Sequence, residues 1–455
     1  MKRNYTTDTR EYYRKLLRLA VPISLQHFML AAVAAGDAVM LGRTSQDAMA
    51  AVSLATQIQF VQNIVVTSVT AAGVILGAQY WGKKDLRTVG DIFWIMLRIC
   101  GAISVLFALG CLFAPEALML VFTNDPALIR IGAGYLRIAG WSYLLTGFSQ
   151  CYLTMMKITE HASASAWISS LAVVLNIVLN AVFIFGLFGA PAMGARGAAT
   201  ATLIARAVEF VLSVLVCFRK GYVRPDLARA FYFSRILRKD FLRHAFPLLG
   251  GALFWGVGFT SYTAIVGHLG ADAAAANAVT AVVRDLMCCL CNGFSAGGGI
   301  IVGNELGAGD LAKGKDYGDR TMRIGFLIGF FCTAVILLLI PPVAHYMILT
   351  PQARKYLIGM MVIAAFYMIG RSCNTVIING IFAAGGDTLF DVYSLAVTMW
   401  CFAIPLAAAG AFLFHWPVLL VYGCTCLDEL GKIPWVMYHY KKYKWVKDLT
   451  RDLRN

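Results

Sequence analysis

Apolar residues run through this chain in long, barely interrupted stretches. Stretches long enough to cross a bilayer recur at 16–41, 54–80, 92–113, 129–156, 166–188, 195–218, 241–267, 276–306, 322–345, 356–382, 392–414 and 416–438. They predict an all-α polytopic membrane protein with twelve transmembrane helices. Composition agrees: 59% hydrophobic against 14% charged residues lies far outside a soluble globular average. Asp37 breaks the second half of the first stretch. An unpaired carboxylate at that depth costs at least about 2.5–3.5 kcal/mol, so its default reading is functional, and it points to cation handling inside a membrane.

Charge orients the chain, because loops that stay in the cytoplasm carry the excess Lys and Arg. With the amino terminus inside, that side collects Lys2, Arg3, Arg10, Arg14, Lys15, Arg18, Lys83, Lys84, Arg87, Lys157, the basic run 219–243, Lys313, Lys315, Arg320, Arg323 and the lysines of the carboxy-terminal tail. The opposite side receives Arg43, Arg130, Arg196, Arg354 and Lys355. Both termini are therefore expected in the cytoplasm and the protein in the plasma membrane. The net charge of +15 is accounted for by topology and lipid headgroups, without nucleic acid. The first helix is too long for a signal-peptide core and lacks a small-residue cleavage site, so it is read as retained. The Cys residues lie in or beside apolar helices, and Cys288, Cys289 and Cys291 have no His cluster beside them. They read as small buried hydrophobes.

An internal repeat organises the chain. Pro22 and Gly42 bracket the first helix with the same spacing as Pro247 and Gly267 bracket the seventh. Ala50-Ala51-Val52 answers to Ala275-Ala276-Asn277, Gly73-Val74-Ile75-Leu76-Gly77 to Gly299-Ile300-Ile301-Val302-Gly303, and Gly82 with Asp85-Leu86 to Gly307 with Asp310-Leu311. The expected organisation is two pseudo-symmetric six-helix bundles, 1–218 and 244–455, joined by a cytoplasmic basic linker, 219–243. Such an arrangement is typical of transporters.

The polar residues inside the spans are the candidate machinery. Asn176 and Asn180 are four apart and share one helix face. Their amide oxygens can ligate a hard cation or accept from a carboxylic acid, and Thr202 could add a hydroxyl. Gln59, Asn63 and Thr67 step by four along the second helix and draw a polar stripe where lipid contact is expensive, so they are expected to line a water-filled cavity. Gln26, Gln150 and Tyr262 are further cavity-lining candidates. Arg206 and Glu209, three apart, are expected to pair with each other, His268 to lie at the outer surface, and Asp428, Glu429 and Lys432 to sit near the cytoplasmic end of the last helix.

These motifs resemble a known family. Leu19-Ala20-Val21-Pro22 with Asp37 and Gly42, then Ala50-Ala51-Val52-Ser53, is similar to the first-helix signature of MATE (multidrug and toxic compound extrusion) transporters. Gly303-Asn304-Glu305-Leu306-Gly307-Ala308-Gly309-Asp310 resembles the eighth-helix signature, and Gly380 with Gly385-Gly386-Asp387-Thr388 the tenth-helix loop. The resemblance covers essentially the whole chain. It implies a cation-coupled antiporter that expels mostly cationic, amphipathic compounds through a central cavity between two lobes. In family members with a cation site in the first lobe, the positions matching Asp37, Asn176, Asn180 and Thr202 contribute to it. The position of Asn180 is commonly Asp there, and the loss of that charge leaves H+ or a more weakly held Na+ as the coupling ion. Some branches carry acids in the seventh and tenth helices, where this chain has Trp255 and Ser372. It offers instead Arg284, Asp285 and Arg371, and an Asp285–Arg371 pair with a structural or gating role is expected.

The sequence therefore reads as an H+- or Na+-coupled exporter of drug-like small molecules, a monomer in contact with membrane lipid. No enzymatic constellation, cofactor or nucleic-acid partner is expected, and no metal other than Na+ at Asp37. A channel would need a selectivity filter, which is not visible. The alternative is a flippase or exporter of a lipid-linked or anionic substrate, which Arg284 and Arg371 would serve if they faced the cavity.

Overall fold

The computed structural model describes residues 5–42, 45–189, 191–219, 222, 226–230, 232, 234–347 and 349–451, and omits the side chains of 5–8, 34–39, 42 and 46. The described residues form helices and contain no strand. In chain order these are α1 (Tyr5–Gly42), α2 (Gln46–Gly82), α3 (Leu86–Phe113), a short α4 (Pro115–Leu120), α5 (Pro126–Ile158), α6 (Ala162–Phe185), α7 (Ala195–Cys217), α8 (Arg235–His268), α9 (Ala271–Gly307) and α10 (Leu311–Tyr346). They continue as α11 (Pro351–Phe382) and α12 (Leu389–Leu413), then α13 (Val418–Thr425), α14 (Leu427–Leu430) and α15 (Ile433–Lys441). The last three follow one another within the twelfth apolar stretch. Ten of the helices are long and apolar enough to cross a membrane, and α5 and the broken α13–α15 passage complete twelve long passages. Backbone groups in hydrocarbon must be satisfied within the segment, which is why the spans are helical.

The helices gather into two compact units. The amino-terminal unit holds Gln26–Gly77 and Asp85–Leu242; the carboxy-terminal unit holds Arg243 onward together with the residues up to Leu25 and Ala78–Lys84. Thus α1 and α2 each contribute to both.

Small residues let the helices of the carboxy-terminal unit approach closely. A side chain at Gly293 would run into the Ser24 backbone, and one at Gly297 would meet Ala20, so α9 lies directly against the first half of α1. The Tyr12 and Thr321 hydroxyls bond at 2.7 Å. Gln79 donates to the Ala384 carbonyl at 2.7 Å and accepts from the Leu449 amide at 2.6 Å, fastening the chain's last described turn to α2. Over Thr375–Phe382, α11 widens into a π-helix, and the Thr375 carbonyl accepts the Ser295 hydroxyl at 2.8 Å. Side-chain hydroxyls of this kind stabilise irregular helical turns away from water.

In the amino-terminal unit, Gln62 is buried and donates to Ser104 Oγ at 3.0 Å and to the Tyr143 carbonyl at 2.9 Å, joining α2 to α3 and α5. The basic linker folds back on α3. Arg229 grips Asp91 with two parallel bonds, Nε to Oδ1 at 2.7 Å and Nη2 to Oδ2 at 2.6 Å. Its guanidinium also covers the Tyr232 ring at 4.4 Å. The Trp94 indole donates to the Asp226 carbonyl at 3.0 Å and Arg98 to the Tyr232 carbonyl at 3.1 Å. The hydrogen bonds to Asp91 hold the proton of Arg229 more firmly than usual. A bidentate pair of this geometry contributes more than a point contact, but Arg229 remains partly exposed and water screens it. Asp91→Asn is expected to release about 1 kcal/mol of local protection, seen as roughly fivefold faster amide exchange across 226–230. Unchanged exchange there would show that the clamp is ornamental.

Candidate functional site

The α6–α7 seam carries two polar stations. Asn180 donates Nδ2 to Asn176 Oδ1 at 3.1 Å, and Asn176 donates Nδ2 to Thr202 Oγ1 at 3.1 Å. Asn180 is fully buried and Asn176 nearly so. Local spacing explains the first bond, since residues four apart stack on one helix face. The approach of α7 explains the second: a side chain at Gly197 would run into the Phe183 carbonyl, so the two helices touch backbone to backbone beside Thr202. The amide and hydroxyl groups of this station are hard oxygen donors, suited to a proton-bearing carboxyl or to Na+.

Two helical turns along the seam lies the second station. Glu209 is fully buried and is bonded by Arg206 at 2.5 Å and by the Ser169 hydroxyl at 3.2 Å. Gln26 donates to that same hydroxyl at 2.8 Å. The Arg206–Glu209 pair is thus present and is knitted into a chain of four side chains from α1, α6 and α7. Gln26 is only 3% exposed and belongs to this internal network. Asp37 belongs to α1, but its side chain lies outside the described residues.

Of the α2 stripe, Asn63 and Thr67 are exposed and Gln59 is half-buried. Gln150 on α5 is half-buried. Tyr262 is buried in the carboxy-terminal unit, where it lines a small cavity with Asn277, Arg284, Tyr367, Tyr422 and Thr425. His268 is exposed. Among the Cys residues, Cys401 is exposed, Cys288 is half-buried, and the others are buried.

The expected Asp285–Arg371 pair does not form. Asp285 is largely exposed and takes its own neighbour, Arg284, at 3.0 Å, while the Arg284 guanidinium lies over the Phe259 ring at 4.6 Å. Arg371 pairs with Glu429 at 2.7 Å. Asn374, one turn along α11, donates to the other oxygen of Glu429 at 2.7 Å and to its backbone carbonyl at 2.8 Å, and Lys432 stands 4.0 Å away. The reason is depth. Glu429 stands near the middle of the stretch 416–438, is only 3% exposed, and cannot be left without a cation in hydrocarbon. Asp428, Glu429 and Lys432, expected near the cytoplasmic end of the last helix, are all buried. An adjacent pair of acids amid apolar residues halfway along a span was the signal for it.

A family model described as MatE matches the chain twice, over residues 22–182 and 247–409. The chain belongs to the MatE family. The two matches begin on Pro22 and Pro247, the residues that open the internal repeat. MatE proteins are membrane transporters, and curated relatives agree. The uncharacterized transporter YisQ of Bacillus subtilis is 22% identical over 86% of either chain. The probable multidrug resistance protein NorM of Pasteurella multocida is 26% identical over 86% of this chain and 85% of its own. A MOP superfamily transporter from Pyrococcus furiosus, described as having a binding pocket of reversed polarity, superimposes with a TM-score of 0.86 at 17% identity over 96% of each chain. At that identity the likeness establishes the fold.

Proposed function

We propose that this MatE protein is an H+- or Na+-coupled antiporter that exports amphipathic, mostly cationic drug-like compounds by alternating access. The hydrogen-bonded chain Asn180–Asn176–Thr202 carries the reading: three aligned oxygen-bearing side chains on one helix seam, in the lobe where the resemblance implies that Asp37 works with them. Deprotonated Asp37 favours an organic cation; a proton or Na+ arriving there neutralises it and lowers drug affinity. Linkage requires the drug to weaken cation binding by the same factor. The names of the NorM relatives support multidrug export as the transported class.

The carboxy-terminal unit favours cationic over anionic substrates. Arg284 and Arg371, the groups that would draw an anion, are each neutralised by a carboxylate within that unit. A charge already matched gives a second anion little to bind.

The test is transport by the purified wild-type chain in liposomes. A permeant cationic dye should move against its gradient when a pH or Na+ gradient is imposed, and an ionophore that collapses the driving gradient should stop it. Dye movement indifferent to both ionophores, or confined to anionic dyes, would overturn the proposal.

A further inference from the structure

At the ends of α4, α5 and α7 remote from the basic linker there is an open cleft of about 550 Å³. The α7 helix fixes its side of the membrane: Arg196 is near the first turn of α7 and the linker follows its last. Three arginines line the cleft, Arg130, Arg137 and Arg196, with a single acid, Glu116. Glu116 is taken by Arg137 at 2.7 Å. Among the described residues Arg130 and Arg196 have no carboxylate partner, which leaves two positive charges facing one space.

The cleft is built by close packing on α5. Met119 of α4 is fully buried against Gly132, where any side chain would displace it. Two residues on, the Arg196 guanidinium rests over Gly134, with Nε 3.0 Å from where a β-carbon would stand. The positive end of the α7 dipole lies at the same place. The remaining lining includes Leu120, Pro126, Ile129 and Ala133, and the exposed Phe113 and Val121 flank α4. Cationic forks beside apolar walls at the end of a membrane span suit an amphiphile whose head is an anion.

We propose that this cleft binds the phosphate of an anionic phospholipid, its acyl chains lying along the apolar residues of α4 and α5. The site is separate from the α6–α7 stations and does not depend on the transport reading. Charge alone does not explain it, since Arg and Lys are scarce on this face and sequence places Arg130 and Arg196 far apart in the chain.

The experiment is native mass spectrometry of the full chain from mixed micelles containing phosphatidylglycerol and phosphatidylcholine. Wild type should retain phosphatidylglycerol about thirtyfold over phosphatidylcholine, the scale expected of two basic groups near a headgroup. Arg130→Gln with Arg196→Gln should abolish the preference. Gly134→Leu, which keeps every charge but fills the seat under Arg196, should reduce it. Arg354→Gln with Lys355→Gln, a matched loss of charge elsewhere, should leave it intact. Equal retention of both lipids by wild type, or the same loss in the Arg354/Lys355 control, would overturn the proposal. Displacement of the lipid by millimolar inorganic phosphate, with phosphate itself retained, would overturn the lipid assignment in favour of a free anion.

Discussion

Arg371→Ala lowers the stability of the carboxy-terminal unit by about 3–5 kcal/mol, the cost of leaving one member of a buried pair uncompensated. Glu429 would keep Asn374 and the more distant Lys432, but its closest cation, at 2.7 Å, would be gone. Removing both partners should hurt less than removing one, because an apolar pair of similar volume avoids burying charge at all. Arg371→Leu with Glu429→Leu is therefore expected to recover most of the loss. Reversible unfolding of wild type and the two variants in mixed micelles measures this, and a cost under about 1 kcal/mol for Arg371→Ala would show that the pair is screened by water.

Asp37→Asn has the other large effect, on function rather than on folding. The variant should reach the membrane in normal amounts, since the change removes a costly charge. Proteoliposomes carrying it should lose gradient-driven dye export. What disappears is a coupling of about 5–150-fold between cation and drug, leaving at most downhill leak. Retained uphill transport in Asp37→Asn would move the coupling site elsewhere.

The apolar runs made the twelve passages readable, because a span needs only length and hydropathy. The repeat was equally plain in Pro22 and Pro247. The shared face of Asn176 and Asn180 followed from helical spacing, and so did the Arg206–Glu209 pair. Partner choice between helices did not follow. Spacing tells which face a residue occupies, not which helix comes to meet it, so Arg371 was matched to the acid of α9 when α14 supplies Glu429. The α2 glutamines make the same point: Gln59 and Gln62 are alike in type and only about 60° apart around the helix, yet it is Gln62 that joins α3 and α5. A step of one residue turns about 100° around a helix, and only the packed bundle decides which direction is inside. The gathering of Arg130, Arg137 and Arg196 into one cleft was hidden for that reason.

In the proposed antiport, cation and drug compete through Asp37. Its most direct test is the affinity of the purified protein for a cationic dye as pH and Na+ are varied separately. Wild type should bind the dye 5–150-fold more weakly, roughly, once the coupling cation saturates, and Asp37→Asn should show a single affinity across the whole range. An undiminished shift in Asp37→Asn would contradict the account.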